Sequence, residues 1–551
     1  VFKKYPISRL LHYYLALYFY FALDVDRALY YSARLVNHDP DWTYGRILFM
    51  TIVQHMAFKA FNDHIFDAIV ACLSSSGGNV SYLINVWRNQ FDFLPFLKKE
   101  READDPPFIP DVAHFMDTVV TCDDKVFKFL SCGMRRLVPN DSAFELTLTQ
   151  VRRFFLARMA SGDMTLHPRE DVFLASLAQQ SFLTEYVYFC DEQERAQRSD
   201  IKARAPSGVL TRAECLILMC YESLSDLLKT HKIHPDDTDF FEPFIQEQVT
   251  DFITEEAIAA AIPSLTSVRD DVSKKVEQMY MENPYPRWES VNFSGNLDYL
   301  RLAPRRADRA QVLVAGCGTG RHALYVALGY RNAHITALDL SRRSLAYARR
   351  KTDEMGVGHI DYIHGDILEL GTWDRRFDAI ESAGVLHHLA DPLKGLDILL
   401  GLLKPGGMMM LGLYSEIGRA VIVKARNDIA TRGLAPTPDT IRAYRHAVLT
   451  DINHVARGLH GRGDFYTLST CRDLIFHVQE TRYTLEEISK ILNDRGLVFQ
   501  GFNMDQTMVH QFEQEHPTKG ARFDLALWHD YEQKNPTTFQ NMYQFWVQKP
   551  S

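Results

Sequence analysis

Two hydrophobic rhythms divide the chain. Up to about residue 255, apolar residues recur at helical spacing, with Leu10, Ala16, Tyr20, Ala28, Leu29 and their neighbours marking one face of successive helices. Asp39-Pro40 punctuates the end of a helix pair, and breaks are expected at Asp104-Asp105-Pro106-Pro107, Pro139-Asn140-Asp141 and Ala205-Pro206-Ser207-Gly208. Beyond residue 300 the rhythm changes to short apolar runs. Val312-Leu313-Val314 runs into Gly316, His334 to Leu338 into Asp339, Ile360 to Ile363 into Gly365-Asp366, and Phe377 to Ile380 into Glu381. Met408 to Leu413 follows the turn Leu403-Lys404-Pro405-Gly406-Gly407. Such runs, alternating with helical patterns, predict a parallel sheet flanked by helices. The fold class is therefore α/β over 301–551, preceded by an all-α domain over 1–255, with 256–300 as the linker. Two further strands are expected at Leu497–Phe502 and Tyr543–Gln548. The stretch of about 415–496 before them reads as a helical insertion, with a capping box at Thr484 and Glu487.

Composition narrows the class. Hydrophobic residues at 46% and charged residues at 24% suit a globular chain rather than a disordered one. A net charge of −9 argues against a general nucleic-acid coat. Eight cysteines without a CxxC pair fit a reducing, cytoplasmic setting. The apolar stretch Leu10 to Leu23 is too short to span a membrane, and its aromatic content predicts a buried helix. No membrane association is expected.

Gly316, Gly318 and Gly320 lie at a strand-to-helix turn, where backbone N–H groups can approach a ligand closely and a helix N-terminus favours negative charge. An acidic residue ending the second strand can accept both hydroxyls of a ribose. Together with Gly365-Asp366-Ile367, the segment Val385-Leu386-His387-His388-Leu389 and Leu403-Lys404-Pro405-Gly406-Gly407, this order resembles the class I S-adenosylmethionine-dependent methyltransferases. The resemblance implies a Rossmann-like fold with S-adenosyl-L-methionine as cofactor. It assigns cofactor contacts to Gly316, Cys317, Gly318, Thr319 and Gly320, to Asp339 with Leu340, and to Asp366 with Ile367, and Glu381 is a further candidate contact. One departure stands out: the family usually carries an acid two positions before the first glycine, and here Val314 occupies it.

The piece Asp26 to Pro40 looks like the second helix of a tetratricopeptide repeat, although the period does not propagate cleanly. With the stiff strip Asn283-Pro284-Tyr285-Pro286-Arg287-Trp288, the chain resembles bacterial fusions of tetratricopeptide-like repeats to a methyltransferase. On that resemblance Tyr285 and Arg287 lie over the cofactor; packing of one domain on another is the competing reading. Candidate catalytic residues are Glu381, His387 and His388, because methyl transfer needs a base only when the acceptor carries a proton. Tyr466 and Arg472 join them from a polar cluster in the insertion that also holds Arg457, His460, Arg462, Asp464, Asp473 and His477. No metal-ligand spacing is convincing. The basic stretch Arg342, Arg343, Arg349, Arg350 and Lys351 reads as a solvated outer helix rather than an RNA contact. The leading expectation is methyl transfer to a protein or peptide held by the helical array. The alternatives are a small-molecule methyltransferase whose array serves homodimerisation, and a scaffold that binds cofactor without turnover.

Overall fold

In the computed structural model the chain forms two compact units, one from Val1–Phe252 with Ala430–Leu474 and the other from Ile253–Ile429 with Ile475–Ser551. The structure describes residues 8–54, 56, 62–75, 79–89, 111–163, 165–205, 208–282, 284–288, 310–330 and 333–551.

The first unit is helical. Its helices begin where the sequence supplies a side-chain cap: Asp24 before Val25–His38, Asn62 before Asp63–Ser74, Asp111 before Val112–Thr121 and Asp141 before Ser142–Ala160. Reciprocal capping boxes open Pro168–Leu183, Glu192–Arg204 and Arg212–Met219. The expectation of a buried helix over Leu10 to Leu23 holds only in part. Helix Arg9–Phe21 buries just His12 and Ala16 fully, and its opposite face is bare.

The stretch expected as an insertion in the sheet domain is divided between the units, with Ala430–Leu474 going to the helices. Its helix Pro438–Thr450 carries Arg445, whose guanidinium grips the Glu145 carboxylate at 2.9 and 2.8 Å. The turn after Pro168–Leu183 holds the same stretch. Glu185 and Tyr186 both adopt left-handed backbone, φ +56° and +57°, at a cost of about 1–2 kcal/mol each. That geometry lets the Glu185 carboxylate accept from the Ser469 N–H and hydroxyl, and the Tyr186 carbonyl accept from Arg442 at 2.7 Å.

The second unit is built on a sheet whose strands are β1 (Gln311–Ala315), β2 (His334–Asp339), β3 (Ile360–His364), β4 (Phe377–Ala383), β5 (Leu403–Ser415), β6 (Val498–Phe502) and β7 (Tyr543–Gln548). Their order is β3-β2-β1-β4-β5-β7-β6, parallel throughout except that β7 runs antiparallel to both neighbours. The short strand Arg482–Tyr483 adds to β5. Alternation divides the two faces: Val312 and Val314 pack with Ala323, Val326, Leu345 and Ile262, while Leu313 and Ala315 pack with Leu386, Leu399, Trp528 and Phe545. Order reverses between β1 and β4, where ligands bind in open sheets of this kind. The expected linker is helical over Asp251–Ala261 and Asp271–Glu282; the boundary expected near residue 300 lies outside the described residues.

Candidate active site

β1 runs through the glycine turn into helix Arg321–Gly329. Gly316 and Gly320 have φ of +77° and +82°, and a Cβ on either would lie 2.3 Å from a Val385 methyl or 2.4 Å from the Ala348 Cβ. Only glycine fits both the turn and the packing. A Cβ on Gly318, φ +53°, would meet the Tyr285 carbonyl oxygen at 3.2 Å. The loop hangs from the tip of β2, where Gly316 and Cys317 N–H groups donate to the Leu338 carbonyl at 2.8 and 3.0 Å. Asp339 completes the staple: one oxygen accepts from Gly318 N–H at 2.7 Å and the other from Ser341 N–H at 2.8 Å. Burial pushes the Asp339 pKa up, and these N–H donors pull against it. Cys317 is a buried filler whose thiol burial holds well above its usual range.

Leu340 is half-buried beyond β2 and Ile367 is buried beyond β3. Asp366 caps the turn Ile367–Thr372 by accepting from Leu368 N–H at 2.9 Å, and its own N–H donates to the Thr266 hydroxyl. Its second oxygen, Oδ2, is buried with no hydrogen-bond partner among the described residues. Burial is also the main reason that its pKa is raised.

The strip from Pro284 to Trp288 is fastened to the glycine turn; Asn283 lies outside the described residues. The Thr319 hydroxyl donates to the Pro286 carbonyl, and the Trp288 indole N–H donates back to the Thr319 carbonyl at 2.9 Å. The Trp288 N–H donates to the Tyr347 hydroxyl, which donates in turn to the Trp288 carbonyl. Arg287 lies 5.8 Å over the Tyr347 ring.

Val314 and Glu381 are partners in register on β1 and β4. Glu381 is fully buried, accepting from the Tyr330 hydroxyl at 3.3 Å and lying 2.8 Å from His322 Nε2. A carboxylate therefore stands one strand away from the position where the glycine motif lacks one. Beyond β4, His387 stacks on Tyr414 at 3.7 Å and His388 stacks on His477 at 3.7 Å. His388 Nδ1 lies 2.7 Å from the Gln479 carbonyl, and Tyr280 reaches His477 Nε2 at 3.5 Å.

Glu381, His387 and His388 thus gather at the end of β4. Tyr466 and Arg472 belong to the helical unit instead. Tyr466 is buried there, its hydroxyl donating to the His460 carbonyl at 2.6 Å. The basic helix Arg342–Glu354 is a solvated face only in part: Arg349 is exposed, whereas Arg342 binds the carbonyls of Ala259 and Ile262, and Arg350 binds the buried Glu255. Sequence reading missed His322, Tyr330 and Tyr347. The one available signal was His322, two residues past the last glycine.

A methyltransferase-domain family profile matches residues 312–407. A demethylmenaquinone methyltransferase of Clavibacter sepedonicus is 32% identical over 181 residues, covering 31% of this chain and 71% of that protein. The chain belongs to the S-adenosylmethionine-dependent methyltransferases. An uncharacterized protein of a Synechococcus species is 31% identical over 261 residues, 42% of this methyltransferase and 61% of the relative, so less than two thirds of that relative is spanned. Among solved structures, PKMT2 of Rickettsia typhi in complex with AdoHcy is similar at 16% identity and a TM-score of 0.35, over 46% of this chain and 52% of that one. S-adenosylmethionine is the cofactor of this methyltransferase. The residues present fit it: the buried carboxylates of Asp339 and Asp366 stand at the ends of β2 and β3, and Asp366 Oδ2 accepts no hydrogen bond among the described residues.

Proposed function

We propose that this methyltransferase passes a methyl group to a small, neutral acceptor bearing an aromatic ring, at the carboxyl ends of β4 and β5. The observation that carries the reading is the run of stacked rings at that edge: His387 on Tyr414, His388 on His477, and Tyr280 beside His477. Met542 lies against Gly412 and Gly384 next to them. Arg419 lies 3.6 Å over the Tyr414 ring and is held by Glu480 at 3.1 and 2.7 Å, both groups being buried. The Clavibacter relative is named for a quinone, demethylmenaquinone, which accords with such a site.

In this reading Asp339 and Asp366 hold the ribose and adenine, and the strip with Tyr285 and Arg287 keeps water from the glycine turn. S-adenosylmethionine held there would supply an electrophilic methyl group for in-line displacement, with S-adenosylhomocysteine as the leaving group. Glu381, fixed by His322 and Tyr330, supplies negative charge beside Val314. His387 takes the acceptor's proton. Burial, with lesser contributions from His388 and Arg419, holds its pKa well below the usual histidine value, so the ring is neutral at pH 7. Both ring nitrogens are buried without a hydrogen-bond partner among the described residues, which leaves one lone pair available. Orientation of donor and acceptor provides most of the acceleration.

The test is transfer of labelled methyl groups in the presence of hydroxylated aromatic compounds and of fractionated lysate protein. Label in the organic extract supports the proposal. Label in acid-precipitated protein favours the second reading, a protein or peptide acceptor. The extent of the helical unit, taken as a repeat-like binding face, supports that alternative.

A further inference from the structure

Helix Arg9–Phe21 has one formally charged residue, Arg9, and its guanidinium is bound to Asp39 at 3.0 Å. Leu10, Tyr14, Tyr18 and Phe21 recur on one arc of about 80° and are 56%, 63%, 66% and 77% exposed. Leu11 borders that arc. Tyr30 and Tyr44 extend the face, joined to the helix through Tyr31 on Phe19 at 5.6 Å and through Trp42 against Tyr13 at 5.2 Å. Leu23 closes the helix with left-handed backbone, φ +60°, and is 85% exposed. Glycine takes that conformation without strain, whereas a leucine there gains nothing from its own unit. A helix apolar on every side is stable in water only when something covers it.

We propose that this face pairs with the same face of a second copy of the chain, about a two-fold axis. Each aromatic ring at these exposures offers on the order of 100–150 Å². Five such rings and three leucines together present on the order of 800–1,000 Å², and a stable pair needs about 800 Å² from each partner. Self-pairing brings few like charges together: the arc from Leu10 to Phe21 carries none, and Arg34, donating to the Tyr30 hydroxyl at 2.9 Å, stands at the margin. A lipid surface would instead call for lysine and arginine along the helix, which are missing beyond the paired Arg9, in a chain of net charge −9.

Sedimentation equilibrium of the full chain at micromolar concentration is the test. The expected result is twice the 63.4 kDa chain mass. The double variant Tyr14→Lys/Tyr18→Lys should raise the dimer dissociation constant at least about a hundredfold with unchanged circular dichroism. Leu23→Gly guards against loss of folding: it relieves strain, so it should melt no lower than the parent while still weakening the dimer. A parent chain sedimenting at 63.4 kDa would overturn the proposal. So would dimers that persist in both variants, or flotation of the parent chain on neutral phosphatidylcholine vesicles that the double variant abolishes.

Discussion

Replacing Arg445 by methionine should unfold the helical unit at lower denaturant while leaving the sheet unit in place. The Arg445 and Glu145 side chains are 1% and 7% exposed, and the guanidinium also donates to the Phe465 and Val187 carbonyls. Removing the cation strands a buried carboxylate, a change that costs about 3–5 kcal/mol. With a urea dependence of about 3 kcal/mol per molar, the midpoint for that unit should fall by about 1–1.7 M. The double variant Glu145→Leu/Arg445→Met should regain most of the loss, since an apolar pair of similar volume is close to neutral. Hydrogen exchange read by mass spectrometry along a urea series distinguishes the units. Peptides from 142–160 and 438–450 should lose protection together, and earlier than peptides from 311–364. If 438–450 instead lost protection with the sheet, its assignment to the helical unit would be wrong.

Asp339→Ala should weaken cofactor binding by about ten- to a hundredfold in calorimetric titration, the worth of a charge-assisted hydrogen bond; parent affinity would remove its role. Gly316→Ala places a methyl against Val385 and should lower the melting temperature of the sheet unit by several degrees, and an unchanged melt would refute the packing. Glu381→Gln should reduce cofactor affinity and leave the fold intact by circular dichroism; an unaltered Kd would confine Glu381 to the core. His387 and His477 have pKa values held below the ordinary range of about 6.5, so as pH drops the unfolded chain takes up protons before the folded chain does. Their contribution is fully present above about pH 6.5 and is lost below it, by up to about 1.4 kcal/mol per pH unit for each ring. His387→Phe should flatten that slope in urea titrations between pH 6.5 and 5; an identical slope would contradict it.

The sheet was legible because β1 and β2 are buried on both faces and read as largely apolar runs closed by glycine or acid, at Gly316 and Asp339, although the edge strand β3 exposes Asp361. The capping box at Thr484 and Glu487 is present as read, since its partners are local. The ion pair that claims residues 430–474 for the helices spans 300 positions, and nothing in either segment announces the other. Glu381 was a candidate by its place at a strand end, yet its partnership with His322 and its register beside Val314 emerge only once β4 lies against β1. Trp288 looked equally like a lid or a linker. Its bonds to Thr319 and Tyr347 came to light only with the turn folded.

The chain passes from helices to sheet after Phe252, returns at Ala430 and leaves again after Leu474. On a ribosome, the N-terminal helices emerge about 220 residues before the segment that completes them, a wait of roughly 10–45 s at ordinary rates of synthesis. Throughout that interval Glu145 has no arginine to meet and the turn at Glu185 has nothing to clamp. The helical unit therefore stays incomplete long after it is first made, and β1 to β5 can assemble while it is still open, with β6 and β7 joining the sheet only after residue 474. Fragments that end before residue 474 should behave as chaperone clients, whereas the same helices expressed with 430–474 in trans should recover a soluble, protease-resistant body.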